Sequence, residues 1–385
     1  MNLSASWSLT SAELRTFSSG VTFIVVCLML FMAYRLYARN KRSGYRKLIL
    51  SIGFSVLQQL YQIALAFGLI PQKSLLALAD NVLYAITFIL LNFAVFELYH
   101  KSRPRTQAWY YSLIGITLAI SAGAVFTGQQ PLSELWQPAA LQSPVLDGFL
   151  VALCPLFALM FAPHIGQPRR YLLALIVSFA LHLSRMLGRY IYPDATVYES
   201  IEALLTIAFF ILLFMLLFDR VVELLNTAYR SAITDGLTHL FNRRFFTGQL
   251  ERALKSGHTV GVIFCDIDNF KKLNDEQGHH QADQVLRQVA AILTEETEGS
   301  GLAGRYGGEE LVAFALGSGA AAAAADRIRA RIEKETIVTA SIGYSQTDLG
   351  IPADTLIRQA DEAMYHSKNT GKNRVTDYAA MSHAG

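Results

Sequence analysis

Charge is scarce in this chain of 385 residues: Asp, Glu, Lys and Arg together make up 16%, against 52% hydrophobic residues. That balance excludes a wholly soluble protein. Cysteine is nearly absent as well. Cys27, Cys154 and Cys265 have neither the pairing nor the spacing of a disulfide framework or a metal knuckle, and they read as buried thiols. The N-terminus lacks the basic flank of a secretory signal, so its first apolar run reads as a retained anchor. The net charge of +3 reflects basic connections between apolar runs and gives no support for nucleic-acid binding.

The apolar residues are concentrated in the first half. Runs at 20–34, 48–70, 75–98, 108–126, 145–163, 171–188 and 200–218 each approach the length of about 20 residues that spans a bilayer as a helix, which predicts about seven transmembrane helices. Lys and Arg cluster in alternate connections: Arg39, Lys41, Arg42, Arg46 and Lys47 in the first, Lys101, Arg103 and Arg105 in the third, Arg169 and Arg170 in the fifth. The second holds Lys73, the sixth Arg189, and the stretch from Gln129 to Asp147 none. Basic connections favour the cytoplasm, so the N-terminus is expected outside and everything after Arg220 inside. Polar side chains also fall within the runs: Gln58, Gln59, Gln62, Asp80, Asn81, Asn92, His182, Arg185 and Glu202. His182 and Arg185 share a helix face and offer a ligand pocket, although interhelical hydrogen bonding is the favoured reading. An unidentified ligand or protein partner of this half stays open.

Three regions are expected: a multi-span domain over 1–217, a linker helix over 218–232 with Val221, Leu225, Ala228 and Ala232 at helical spacing, and a soluble domain over 233–385. In the last, Arg305-Tyr306-Gly307-Gly308-Glu309-Glu310-Leu311 predicts a glycine-tipped β-hairpin carrying two acids. A second acidic cluster, Asp266-Ile267-Asp268-Asn269-Phe270-Lys271, ends the apolar run from Val260. Two other glycine patterns fail their context. Gly299 to Gly304 fits G-x-G-x-x-G but precedes a strand, and Gly317-Ser318-Gly319 leads to a strand from Ile337 that no acid ends. A phosphate-binding Walker loop is excluded because Asn373 follows Gly371-Lys372.

Taken in order, Asp235 to Arg244, the Asp266 cluster, Gly278 to Asp283, the Gly307 hairpin, Ala340 to Tyr344, and Asp361 to Tyr365 with Lys368 and Gly371-Lys372-Asn373 resemble the catalytic domain of GGDEF-type diguanylate cyclases. The resemblance covers roughly the last 150 residues, a usual single-domain length. It implies an α/β fold of ferredoxin-like type with an antiparallel-centred sheet, joined here to an α-helical membrane domain. The implied reaction condenses two GTP into cyclic di-GMP and two pyrophosphates with Mg²⁺, or Mn²⁺ as the alternative ion. Each domain holds one GTP, so a homodimer is implied, in a multi-pass protein of the bacterial inner membrane.

Residue by residue, the resemblance makes Asp266, Glu309 and the Ile267 carbonyl the metal ligands, with Glu310 assisting the second metal or the attacking hydroxyl. Gly307 and Gly308 let the hairpin backbone approach the nucleotide. Asn274 and Asp283 recognise guanine, Leu286 lines the base pocket, and Phe270, Lys271, Lys368 and Lys372 serve the phosphates. Asp268, read as facing oppositely along the strand, is given no single role. His279 and His280 read as structural.

Four positions depart from the family pattern. Leu311 stands for Phe, Ala282 and His239 for Gly, and Lys372 for Arg. His239 is the most consequential if its position needs a positive φ. The product-inhibition motif Arg-x-x-Asp is replaced by Glu298-Gly299-Ser300-Gly301. The alternative function is a catalytically silent GGDEF domain that binds GTP or another protein.

Overall fold

The computed structural model describes residues 10–39, 41, 43–70, 74–100, 103–126, 143–193, 195–257, 259–347 and 351–382. Arg42, Lys73, Lys101 and the stretch 129–142 of the predicted connections lie outside the described residues. The chain separates into two compact units, Met1–Leu224 and Leu225–Gly385.

Among the described residues the apolar runs of the first unit form seven long helices: α1 (Ser11–Arg39), α2 (Ser43–Ala66), α3 (Ser74–Tyr99), α4 (Pro104–Phe126), α5 (Pro144–Phe161), α6 (Pro168–Met186) and α7 (Val197–Ile233). A helix is the natural state of such runs because it satisfies every backbone polar group internally. Their shared core includes Val26, Ile52, Phe93, Phe157 and Leu216, while outward faces leave large apolar side chains bare, Leu159 at 80% and Ile176 at 63%. Six of the seven are long and apolar enough to cross a membrane. The exception is α4, whose first turns carry Arg105, Gln107 and the Trp109–Tyr111 aromatics. Residues 218–232, expected as a separate linker helix, are the last part of α7, which runs unbroken for 37 residues. A single π turn, Leu187–Ile191, extends α6.

The second unit is a six-stranded sheet in the order β1-β3-β4-β2-β5-β6. The strands are β1 (Phe241–Asn242), β2 (Val260–Ile267), β3 (Gly301–Gly307), β4 (Glu310–Leu316), β5 (Ala340–Thr347) and β6 (Val375–Asp377). The four central strands pair antiparallel and the two short rim strands parallel. Helices α9 (Phe270–Thr297) and α10 (Ala320–Glu335) pack on one face; α8 (Arg243–Lys255) and α11 (Ala353–Asn369) pack on the other, and the short α12 (Tyr378–Ser382) follows β6. The β2-α9-β3-β4-α10-β5 core is the antiparallel-centred, ferredoxin-like arrangement expected.

Strand alternation decides which functional group meets which helix. On β2, Val260, Val262 and Phe264 join the core under α8 and α11, whereas Ile263, Cys265 and Ile267 join the core under α9 and α10. Asp266 therefore lies on the α11 side. On β4, Val312 and Phe314 share that side, which places Glu310 there too. Gly343 on β5 lets α11 lie close: a Cβ would sit 2.0 Å from the Met364 backbone nitrogen. That contact sets the height of Lys368 over the sheet.

Candidate active site

The acid-bearing turn is the β3-β4 hairpin, with Gly307 paired to Glu310 across a bulge that follows Arg305. Gly308 has a φ of +31°, and the space where its Cβ would lie is open. Antiparallel pairing of β2 with β4 sets Asp266 directly opposite Glu310. The residue opposite the strand-end acid is thus Glu310, while Glu309 occupies the turn. Asp266 is 4% exposed and accepts from Lys368 Nζ at 2.8 Å.

The cluster holds more negative charge than Lys368 balances. Burial pushes the Asp266 carboxyl up; Lys368 opposes this, and the charges of Glu309 and Asp268 add to it. Burial likewise pushes Glu310 up, reinforced by Asp266, Asp361 and Glu309. Lys368 is desolvated, which works against its charged form, but its bond to Asp266 and the neighbouring acids leave it raised overall. Asp361, on α11, is itself raised by burial and by Glu362. Its influence on Glu310 is a feature of the site that the family resemblance did not imply.

Asp268 follows the end of β2, and although its charge is felt by Asp266 and Lys368, its carboxylate is bonded elsewhere. It accepts from Thr339 Oγ1 at 2.7 Å, Ser341 Oγ at 2.6 Å and the Asn373 backbone at 3.1 Å, tying β2 to β5 and to the turn before β6. Its role is to hold the loop in place.

Helix α9 begins at Phe270 behind Asn269, which is left-handed at φ +58°. Lys372, also left-handed at φ +61°, reaches back to Asn269 Oδ1 with its ammonium at 2.6 Å. Phe270 is half-buried and Lys271 exposed at the helix start, where unpaired amides face outward. Gly278, at φ +80°, breaks α9, so Asn274 and Asp283 lie on either side of a kink. The Asn274 Oδ1 atom is buried without a hydrogen-bond partner. Leu286 is 1% exposed inside the sheet-facing core with Val285 and Leu273. A cleft of about 390 Å³ opens on another side of α9, lined by Asp268, Lys272, Glu276 and Glu333 among others, and the base and metal candidates are not in its lining.

One connection was missed from the sequence altogether. Arg305 donates to the Gly308 carbonyl from Nε at 3.1 Å and Nη2 at 2.7 Å, and to Asp235 Oδ1 from Nη1 at 2.9 Å. Asp235 also accepts from the Thr238 amide and hydroxyl, and despite some burial these bonds hold its carboxyl below the usual range. The segment that opens the domain is thereby locked to the acid-bearing turn. His239, in that same segment, does adopt a positive φ of 60°.

A divalent cation suits these donors in one form only. Among the described residues no three His, Cys, Asp or Glu side chains are grouped to hold a metal. The acids beside Asp266 nonetheless carry uncompensated negative charge. That set fits an ion of the Mg²⁺ kind, which takes one or two carboxylates and fills its shell with water and phosphate oxygens.

The model of the family described as "Diguanylate cyclase, GGDEF domain" matches residues 232–374. The response regulator PleD of Caulobacter vibrioides is 39% identical over 173 residues, 40% of this chain and 38% of that protein. Diguanylate cyclase VdcA of Vibrio cholerae is 36% identical over 170 residues, 41% of this chain and 50% of that protein. The chain thus spans half or less of the length of these curated relatives. Among solved structures, the coiled coil and GGDEF domain of DgcB from Caulobacter crescentus, in complex with c-di-GMP, is 32% identical, covers 41% of this chain and 92% of that one, and has a TM-score of 0.40. Strand order, acid placement and the family match agree: residues 232–374 form a GGDEF domain, and relatives that share it are named diguanylate cyclases.

Proposed function

We propose that the protein is a membrane-bound diguanylate cyclase that condenses two GTP into cyclic di-GMP and two pyrophosphates. The observation that carries this reading is the surplus of carboxylates around Asp266. A triphosphate cannot approach three acids and one lysine unless divalent cations intervene, and a site so arranged is built for metal-assisted phosphoryl transfer. Asp266, Glu309 and the Ile267 carbonyl would hold Mg²⁺ or Mn²⁺. When bound, the ion neutralises charge that builds on the phosphate oxygens.

The remaining steps belong to the chain's own groups. Lys368 exchanges its Asp266 contact for phosphate, and Lys271, Lys372 and the first amides of α9 complete the anion site. Lys372 contributes a point charge, without the two-pronged grip of an arginine. The orphaned Asn274 Oδ1 accepts from guanine, and the Asp283 carboxylate accepts from N1–H and N2–H, which adenine does not pair in this way. The 3′-oxygen of one GTP forms a bond to the α-phosphorus of the other as the bond to pyrophosphate breaks. Glu310, with its raised carboxyl, is placed to take the hydroxyl proton. Two domains must face each other, so the active form is a homodimer.

For the first unit we propose that all seven helices cross the membrane, with the N-terminus outside and the catalytic domain in the cytoplasm. The polar pairs support this. Arg189 meets Asp147 at the start of α5, and Arg185, one turn earlier, meets Glu202 in the second turn of α7 and stacks on Tyr84 in the first half of α3. The starts of α3 and α5 therefore share one end of the bundle, and the chain between them must return across it through α4.

Incubation of the purified full chain with GTP and Mg²⁺, with products identified by mass spectrometry, tests the cyclase reading. Cyclic di-GMP should form, and Glu309→Gln should abolish it while leaving the folded protein intact. GTP binding without product would favour the silent module.

A further inference from the structure

Tyr306 is the residue left over by the bulge in the β3-β4 hairpin. Arg305 pairs with Leu311 and Gly307 with Glu310, and Tyr306 between them has no counterpart on β4. A bulge re-aims a side chain and interrupts the ladder beside it, so the strand end that leads into Glu309 needs other contacts to hold it. The Tyr306 ring supplies them. It packs on the core under α8 and α11, meets Phe264 of β2 edge-on at 5.1 Å, and carries the Arg243 guanidinium over its face, 4.1 Å from the ring centre.

Local structure brings these two residues together. Strands β1 and β3 run parallel with Asn242 opposite Arg305, so the next residue on each, Arg243 and Tyr306, fall side by side. Asn242 fixes the start of α8 by accepting from the Phe245 amide at 3.0 Å, and its own amide group donates to the Ala232 carbonyl at 2.8 Å. Arg243 is the first residue of α8, where the helix dipole favours negative charge. A guanidinium there works against the helix it begins, and its contact with Tyr306 gives it a different task. Glu310 lies on the same face of the sheet: its carboxylate folds back over the turn, so that a Cβ on Gly307 would sit 3.3 Å from Oε2, and its charge is felt by Tyr306. Arg305, one residue before Tyr306, faces the other side and reaches Asp235. The acid-bearing turn is thus gripped from both faces.

We propose that Arg243 and Tyr306 are positioning residues of the cyclase: the guanidinium clamps the Tyr306 ring against Phe264, and the clamped ring sets the backbone from which Glu309 and Glu310 project. The role needs no contact with the nucleotide, so it acts on rate and leaves affinity for GTP largely alone. Its effect on rate rests on the cyclase reading above; the clamp itself is a property of the fold.

Hydrogen exchange and kinetics on the full chain test it together. In Arg243→Met, which keeps the apolar stem without the charge, and in Tyr306→Leu, the amides from Gly307 to Leu311 should exchange about tenfold faster, while those from Val262 to Phe264 stay as in the parent. The kcat for cyclic di-GMP should fall about tenfold with KM for GTP within about twofold, because misplaced reacting groups act on rate. The double variant should lose little more than either single one, since both remove the same contact. Tyr306→Phe keeps the ring and should restore the parent's exchange and rate. Parental exchange in both Arg243→Met and Tyr306→Leu overturns the proposal, as do additive losses in the double variant or a Tyr306→Phe chain as impaired as Tyr306→Leu. If the parent makes no cyclic di-GMP, the cyclase reading falls and the exchange data alone decide the clamp. Should Tyr306→Leu fail to fold, Arg243→Met decides it, because the Arg243 side chain is exposed and its loss leaves no cavity.

Discussion

Lys368 Nζ lies 2.8 Å from Asp266 Oδ1, so the chain's own cation rests on the carboxylate proposed above as a metal ligand. The lysine balances Asp266 in the absence of substrate and can be drawn off by phosphate. Lys368→Met should leave the fold intact and lower the rate of pyrophosphate release about a hundredfold, the usual scale for removing one charged transition-state donor. Unchanged turnover would show that the lysine serves folding alone.

Glu310 gives the site a pH signature. Burial and the neighbouring acids raise its carboxyl above the unfolded value, so the folded chain binds that proton more tightly than the unfolded chain does. The stability so gained is fully present below the ordinary carboxylate range and is lost as pH rises through the raised value. Glu310→Gln should therefore raise the melting temperature of the soluble domain at neutral pH and have little effect near pH 4. The gain should be small, since solvent screens a part-exposed group. Melting curves across that range check both the sign and the window.

Arg305 joins residues that are 70 positions apart, since its partner is Asp235. Removing the guanidinium leaves the Gly308 carbonyl without its two donors and frees the turn that carries Glu309 and Glu310. Arg305→Ala should lower kcat by about tenfold to a hundredfold, because small misplacements of reacting groups have large effects on rate. GTP affinity should change far less. A variant that alters only KM would place Arg305 among the binding groups.

Helix α7 leaves the first unit and continues to Ile233, just before Asp235. Single alanines inserted after Asn226 should rotate the cyclase domain by about 100° each. Cyclic di-GMP production should vary with helical phase and recover near a full turn. Flat activity across the series would show the first unit to be a passive anchor.

Local features were legible in the sequence. Gly307 and Gly308 between alternating apolar residues announced the hairpin, and the spacing of apolar runs announced the helices. Registers were not legible, because they join distant segments: a slip of one residue between β2 and β4 would exchange Glu310 for Glu309 opposite Asp266. The bond from Arg305 to Asp235 left no local mark for the same reason. Asp268 could be given no role from the sequence, because its three donors, Thr339, Ser341 and the Asn373 amide, come from segments far along the chain. The apolar run of α7 stops at Phe218, but the helix does not, since a solvated helix needs no apolar stripe on every face. At His239 the departure from Gly mattered only if the position needs a positive φ, and the left-handed backbone is adopted even without glycine.

The rims of the sheet carry a further consequence. Strand β1 has 2 residues and β6 has 3, too few to serve as templates for a strand from another molecule. Two copies of this domain have little to gain from joining edge to edge into one continuous sheet. Any pairing that brings two nucleotides together must instead use helix and turn surfaces, whose side chains can part and meet again without breaking a backbone ladder. The architecture thus favours an encounter that is readily reversed, as a switch requires, over a fused assembly.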